Sequence, residues 1–269
     1  MFQRTLLCRL VFAFIFFFLL YYQYSNTMAH QLQSPVLIFP YVDITYWIFH
    51  LLKIPDFITH NYFAASCFDS LLFITCILSF LFPGRRIFIT SFFILYFTYY
   101  IIFNSYSTQH THSKAGMLLA TIPFMVPDKM FYYLWEATRY FTLFIYTDAF
   151  LWKLLRFSIF KKDHGSLVIK KNFAGFLYYN SNSYLANSFK WLLEHPVIIQ
   201  TIFLAGFMLE GCFIIGFFTK RFDKYLFVIS ILLPVGFLYL SDAFFFELLV
   251  LSFTLNVQLK LSNAGIAAV

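Results

Sequence analysis

The sequence predicts an all-α, polytopic integral membrane bundle of about seven or eight transmembrane helices plus interfacial segments. Three observations predict it. First, 61% of the 269 residues are apolar and only 12% are charged, whereas soluble domains run near ~45–50% apolar and ~25% charged. Second, mean hydropathy is +0.75, so too little polar surface exists to cover the chain in water. Third, the apolar residues are gathered into runs long enough to cross a bilayer, where only a helix or a closed barrel satisfies the backbone.

The chain reads as one membrane domain over 1–269. Residues 5–22 (TLLCRLVFAFIFFFLLYY) are the first helix. A cleaved signal peptide would call for a clear A-x-A site, which this stretch lacks, and a retained helix is the preferred reading. Residues 35–59 carry Pro35, Pro40 and Pro55 with Asp43, His50, Lys53 and Trp47, a mixture that suits a segment lying at the interface. Helices follow over 61–83, 87–104, 113–127, 129–157, 197–218, 225–240 and 243–257. The last two come from an apolar run over 225–257, too long for one span and broken near Ser241-Asp242. Between the helices at 129–157 and 197–218, residues 161–195 read as an extramembrane loop whose second half, 184–195, is an amphipathic surface helix.

Basic residues recur on one side of this arrangement, at the N-terminus, Arg85-Arg86, Lys129, Lys220-Arg221, Lys224 and Lys260. That side is expected to be cytoplasmic, N-terminus included. Lys161, Lys162, Lys170 and Lys171 fall on the other side and oppose this orientation. A net charge of +7 has its ordinary explanation in topology and anionic lipid, so nucleic acid is not an expected partner. The lipid bilayer is, together with a membrane or secreted protein partner. Cys8, Cys67, Cys76 and Cys212 share no metal or redox spacing and read as small apolar residues.

Against this background the polar residues stand out. STQHTHSKAG (107–116) separates two apolar runs. His110 and His112, at i and i+2, do not share a helix face and have no companions, so no metal site is expected and a polar hinge explains them equally well. Arg139, Tyr146 and Lys153 are seven residues apart, which places them on one helical stripe. Glu210 lies inside an apolar segment, as does Glu247, and Asp148 and Asp242 are further candidates. An ionisable side chain at bilayer depth costs a few kcal/mol unless it faces protein or water, so these residues are candidates for lining a polar cavity. Lys153 could equally snorkel to the interface, and Glu210 could bond to a lysine, serine or threonine of a neighbouring helix.

Three stretches resemble the membrane domain shared by vitamin K-dependent gamma-carboxylases and the HTTM (horizontally transferred transmembrane) proteins. They are THSKAGMLL (111–119), YTDAFLWKLL (146–155) and PVIIQTIFLAGFMLEGCFIIGFFTKRFD (196–223), and the resemblance spans about 105–255. It implies Lys153 as a base towards a quinone or hydroquinone cofactor and His112 as its companion. Arg139, Tyr146 and Glu210 would line the same cavity. The family's Ala-Gly pair before the lysine is Ala149-Phe150 here, and its following tryptophan–glycine segment is not recognisable. No large soluble domain follows, so peptide carboxylation by this chain alone is not expected. Two functions remain: an HTTM-like redox or carboxylase-related membrane enzyme that binds a quinone-like lipid, and a non-catalytic membrane component of a secretion, export or immunity assembly.

Overall fold

The computed structural model describes residues 2–32, 47, 51–106, 114–157 and 160–257. Among these every regular element is helical: α1 (Phe2–Tyr24), α2 (Ile54–His60), α3 (Tyr62–Leu81), α4 (Arg86–Tyr106), α5 (Ala115–Met125), α6 (Asp128–Leu155), α7 (His164–Tyr179), α8 (Tyr184–Glu194), α9 (Pro196–Gly211), α10 (Phe213–Phe218), α11 (Asp223–Ser241) and α12 (Leu249–Asn256). Short 3₁₀ turns occupy Ala29–Gln31 and Phe246–Leu248. The helices group into two compact units, residues 1–135 and 136–258.

In the first unit α1 packs along α3, α3 along α4, and α4 against α5. Each long helix buries one stripe. In α1 it is Cys8, Val11/Phe12, Ile15, Leu19 and Tyr22; in α3, Ala65, Phe68/Asp69, Leu72 and Cys76; in α4, Ile89, Phe92, Tyr96, Tyr99 and Phe103. These steps of three and four residues are one face of a helix. The opposite faces are apolar too, with Phe17, Phe63, Ile87 and Ile94 all well exposed. A helix that is apolar all round yet buries only one stripe suits lipid on its other side.

Polar contacts fix the ends of these helices. Arg4 reaches Asp128 and donates to the carbonyls of Phe124 and Val126 at 2.8 and 2.7 Å, tying the start of α1 to the end of α5. Buried Asp69 accepts from Ala29 N at 3.2 Å, His30 N at 2.9 Å and His30 Nδ1 at 2.7 Å, which holds the turn after α1 against α3. The Lys114 ammonium is buried over the rings of Tyr22 and Phe103, 3.2 and 3.9 Å from their centres.

The second unit has two apolar cores. One joins Leu143 and Tyr146 of α6 to Phe213, Leu226, Leu233 and Leu255. The other joins Ile169 and Phe173 of α7 to Phe189, Leu192 and Ile199. Residues 161–195, expected as a loop with one surface helix, form the two helices α7 and α8. Ile169, Phe173 and Phe176 recur at steps of three and four, but Lys170 and Lys171 interrupt them and mask the pattern. α11 ends where Asp242 takes left-handed backbone at φ 51°, after which the chain turns into Phe246–Leu248 and α12.

Among the described residues five helical segments are long and apolar enough to cross a membrane: Gln3–Gln31, Tyr62–Leu81, Arg86–Asn104, Pro196–Phe218 and Asp223–Ser241. The expected count of about seven or eight is therefore not confirmed among the described residues. Ala115–Met125 and Phe246–Asn256 are apolar but shorter. α6 has the length, 28 residues, but its apolar stretches are diluted by Glu136, Arg139, Asp148 and Lys153. Of the expected interfacial segment 35–59, residues 35–46 and 48–50 lie outside the described residues; its remainder exposes Trp47, Leu51, Leu52 and Phe57 and buries Pro55, Ile58 and Thr59 of the short helix α2.

Candidate ligand cavity

In the second unit, α6, α7, α9 and α11 surround a cavity of about 540 Å³. The last turn of α6 brings Lys153 to its wall, and the last turn of α9 brings Glu210. Their side chains form an ion pair through Nζ and Oε1. Glu210 is 1% exposed and Lys153 35% exposed, so the carboxylate is sealed in protein while the ammonium keeps one side open. Nζ also lies 5.2 Å from the ring centre of Phe237. The second carboxylate oxygen, Glu210 Oε2, is buried and accepts no hydrogen bond from the described residues.

The remaining wall is mostly apolar: Ala149, Val168, Phe203, Phe207, Phe237 and Phe245 are among its residues. The polar exceptions besides the pair are His164 and Ser241. His164 opens α7 and meets the edge of Phe203, ring centres 5.8 Å apart. Partial burial, then the cations of Lys153 and Lys161, push its imidazole below the ordinary histidine range, which favours the neutral ring. The cavity therefore holds one compensated charge pair and one neutral donor–acceptor ring in otherwise hydrocarbon surroundings.

Of the residues singled out in the sequence, the structure brings Lys153 and Glu210 together at this cavity. It places two others elsewhere. Arg139 makes a two-pronged pair with Asp223, Nε to Oδ2 and Nη2 to Oδ1 both at 2.7 Å, and Nη2 also donates to the Gly216 carbonyl at 2.8 Å. Both partners are buried, and Asp223 is the first residue of α11, where the helix dipole favours a carboxylate. Tyr146 stacks on Phe213 with ring centres 4.2 Å apart, and its hydroxyl points to the Ser230 carbonyl at 3.4 Å. Neither Arg139 nor Tyr146 is in the cavity wall: residues seven apart share a face but lie ~10 Å apart along the axis, so they meet different neighbours. His110 and His112 lie outside the described residues.

Glu136 pairs with Lys220 at 2.7 Å, Asp148 and Asp242 are exposed, and Glu247 is buried in the 3₁₀ turn. Among the described residues no cluster of three or more His, Cys, Asp or Glu has the arrangement to hold a metal ion. His164 is the cavity residue that sequence reasoning missed. Its only signal was its place in the polar stretch KKDHGS just after the helix carrying Lys153.

The fold defines an all-helical protein compatible with a multi-pass membrane location. No protein-family model, curated protein or solved structure matches this chain.

Proposed function

We propose that the chain is an HTTM-like, multi-pass membrane protein that binds a lipid-soluble ring compound of the quinone or hydroquinone class in the cavity of its second unit. The observation that supports this reading is the Lys153–Glu210 pair, its carboxylate buried and its ammonium partly open, in the wall of an apolar cavity of about 540 Å³. That volume falls within the ~300–1,000 Å³ usual for small-molecule pockets. Aromatic and aliphatic walls suit a ring and its hydrocarbon tail. Glu210 Oε2 is buried with no hydrogen-bond partner among the described residues, which leaves one lone-pair face of the carboxylate unused. Lys153 retains N–H donors beyond the one given to Oε1 and can donate to a ring oxygen.

When bound, such a ring supplies redox chemistry coupled to proton release. The protein's part is to hold a proton near it. Along the Nζ–H···Oε1 bond the pair can exist as ammonium and carboxylate or as amine and carboxylic acid, and neither form changes the net charge of the site. Lys153 thus acts as an acceptor once its proton has passed to Glu210. An isolated lysine in the same apolar wall would have to carry its charge alone, at far greater cost.

The test is mass spectrometry of the protein after gentle detergent extraction. A co-purifying quinone-class lipid that is lost in Lys153→Ala, with the helical content unchanged, is the expected result. A stable protein partner with no ring lipid would instead favour the non-catalytic membrane component of a larger assembly.

A further inference from the structure

In the second unit, α7 and α8 stand at one end of two candidate spans. α8 closes at Glu194 and α9 begins at Pro196, with only His195 between them. α11 closes at Ser241, whose carbonyl accepts from Asn172 Nδ2 of α7 at 2.7 Å. Two residues earlier on α11, the Tyr239 hydroxyl meets Ser188 Oγ of α8 at 2.9 Å. Pro196–Phe218 and Asp223–Ser241 are both long and apolar enough to cross a bilayer. The middle of α7 and the body of α8 are therefore held where those two segments end, which in a bilayer is the headgroup level.

The outer faces of these two helices mix lysines with aromatic rings. α7 buries Gly165, Ser166, Ile169 and Phe173. Its opposite stripe is Leu167, Lys170, Lys171, Ala174 and Tyr178, spaced to share one helix face and all exposed. α8 buries Ala186, Phe189 and Leu192 and turns Tyr184 and Trp191, seven apart, outward. Trp191 stacks on His195 with ring centres 4.5 Å apart. Tyr178 and Tyr184 are 78% and 93% exposed. Plain water gives such rings no reason to be there, whereas tyrosine and tryptophan are enriched at headgroup level, where the ring is covered and the polar tip stays wet. The charge has one sign in excess: Lys161, Lys162, Lys170, Lys171 and Lys190 stand against Asp163 and Glu194 in 161–195. Lys190 is tied to the Ser181 carbonyl at 2.7 Å. Among the described residues neither Lys170 nor Lys171 pairs with a carboxylate.

We infer that the outer face of α7 and α8 is an interfacial platform that binds anionic phospholipid headgroups, with Lys170 and Lys171 as the phosphate contacts and Tyr178, Tyr184 and Trp191 as anchors beside them. Charge complementarity selects the occupant. Lysine is depleted in protein–protein interfaces but is drawn to anionic headgroups. An ammonium is a compact point charge, so the platform reads the charge of the headgroup rather than its shape. The inference does not depend on the ring-lipid reading. The cavity is lined from the other edge of α7, by His164 and Val168.

The test gives the purified full-length protein equimolar dioleoylphosphatidylglycerol and dioleoylphosphatidylcholine in mild detergent and counts the retained lipids by native mass spectrometry. The wild type retains the anionic lipid in preference. Lys170→Gln/Lys171→Gln lowers that preference by ~5-fold per lysine removed and melts as the wild type does, since both side chains are exposed. Raising salt from ~0.1 to ~1 M shortens the screening length from ~10 to ~3 Å and weakens the preference of the wild type more than that of the variant. A second readout places the face itself. In phosphatidylcholine vesicles containing dibrominated phosphatidylglycerol, the emission of Trp191, taken as the difference between wild type and Trp191→Phe, is quenched, and less so in the double lysine variant. A wild type without preference, or a double variant that keeps it, overturns the inference. So does a Trp191 that the brominated lipid leaves unquenched, whether the face stays in water or a co-purified protein covers it.

Discussion

Replacing Arg139 by methionine leaves the Asp223 carboxylate fully enclosed without its two-pronged partner. The guanidinium is 1% and the carboxylate 0% exposed, so water cannot take over the lost hydrogen bonds. Removing one member of such a pair costs ~3–5 kcal/mol, most of it the desolvation of the charge left behind. The Gly216 carbonyl loses a donor as well. Asp223→Leu has a similar effect from the other side, since it strands a buried arginine. The double variant Arg139→Met/Asp223→Leu removes both charges and is expected to be far less destabilised than the sum of the two, because an apolar replacement of a whole buried pair is often close to neutral. The assay is reversible unfolding of the detergent-solubilised protein in sodium dodecyl sulfate, followed by tryptophan fluorescence, with the four species forming a double-mutant cycle. Single variants within ~1 kcal/mol of wild type, well short of the cost of a stranded charge, would refute the reasoning. So would a double variant equal to the sum of the singles, because directly bonded partners must couple.

Two other perturbations test separate contacts. His164 is held below the ordinary histidine range, so the unfolded chain takes up its proton first as pH falls. Stability therefore declines as pH drops through the ordinary value of ~6.5, levels off once native His164 also protonates, and gains nothing from this residue at higher pH. Melting curves followed by circular dichroism between about pH 5 and 8 should show this slope in wild type and a flatter one in His164→Gln. In the first unit, Lys114→Ala removes a buried cation from the faces of Tyr22 and Phe103 and is expected to cost ~2 kcal/mol in the same unfolding assay, with Lys114→Arg losing less because guanidinium also stacks on rings.

What was legible in the sequence follows from what is local. The long apolar runs of α1, α3, α4, α9 and α11 announce themselves because lipid demands hydrocarbon over a whole span. The polar pair Ser241-Asp242 inside a long apolar stretch likewise marks the end of α11. α7 was hidden because its buried residues are interleaved with lysines, and α6 looked more like a span than its charges allow. The pairing of charges was the least legible. Arg139 and Asp223 are 84 positions apart and Lys153 and Glu210 57 apart, so each residue is visible as an anomaly while its partner depends on how helices pack.

The carboxylate that secures the turn after α1 carries a consequence for biogenesis. Ala29 N and Asp69 are 40 residues apart. At ~5–20 residues per second of synthesis, the latch is translated ~2–8 s after the backbone groups it must receive. During that interval the polar groups at the end of α1 have no permanent partner and must be served by water or by the insertion machinery. The contact that fixes the turn after α1 therefore forms only once α3 has been made. A ribosome stalled between the two segments would hold the protein in that unlatched form, which would be the stage most open to quality-control proteases.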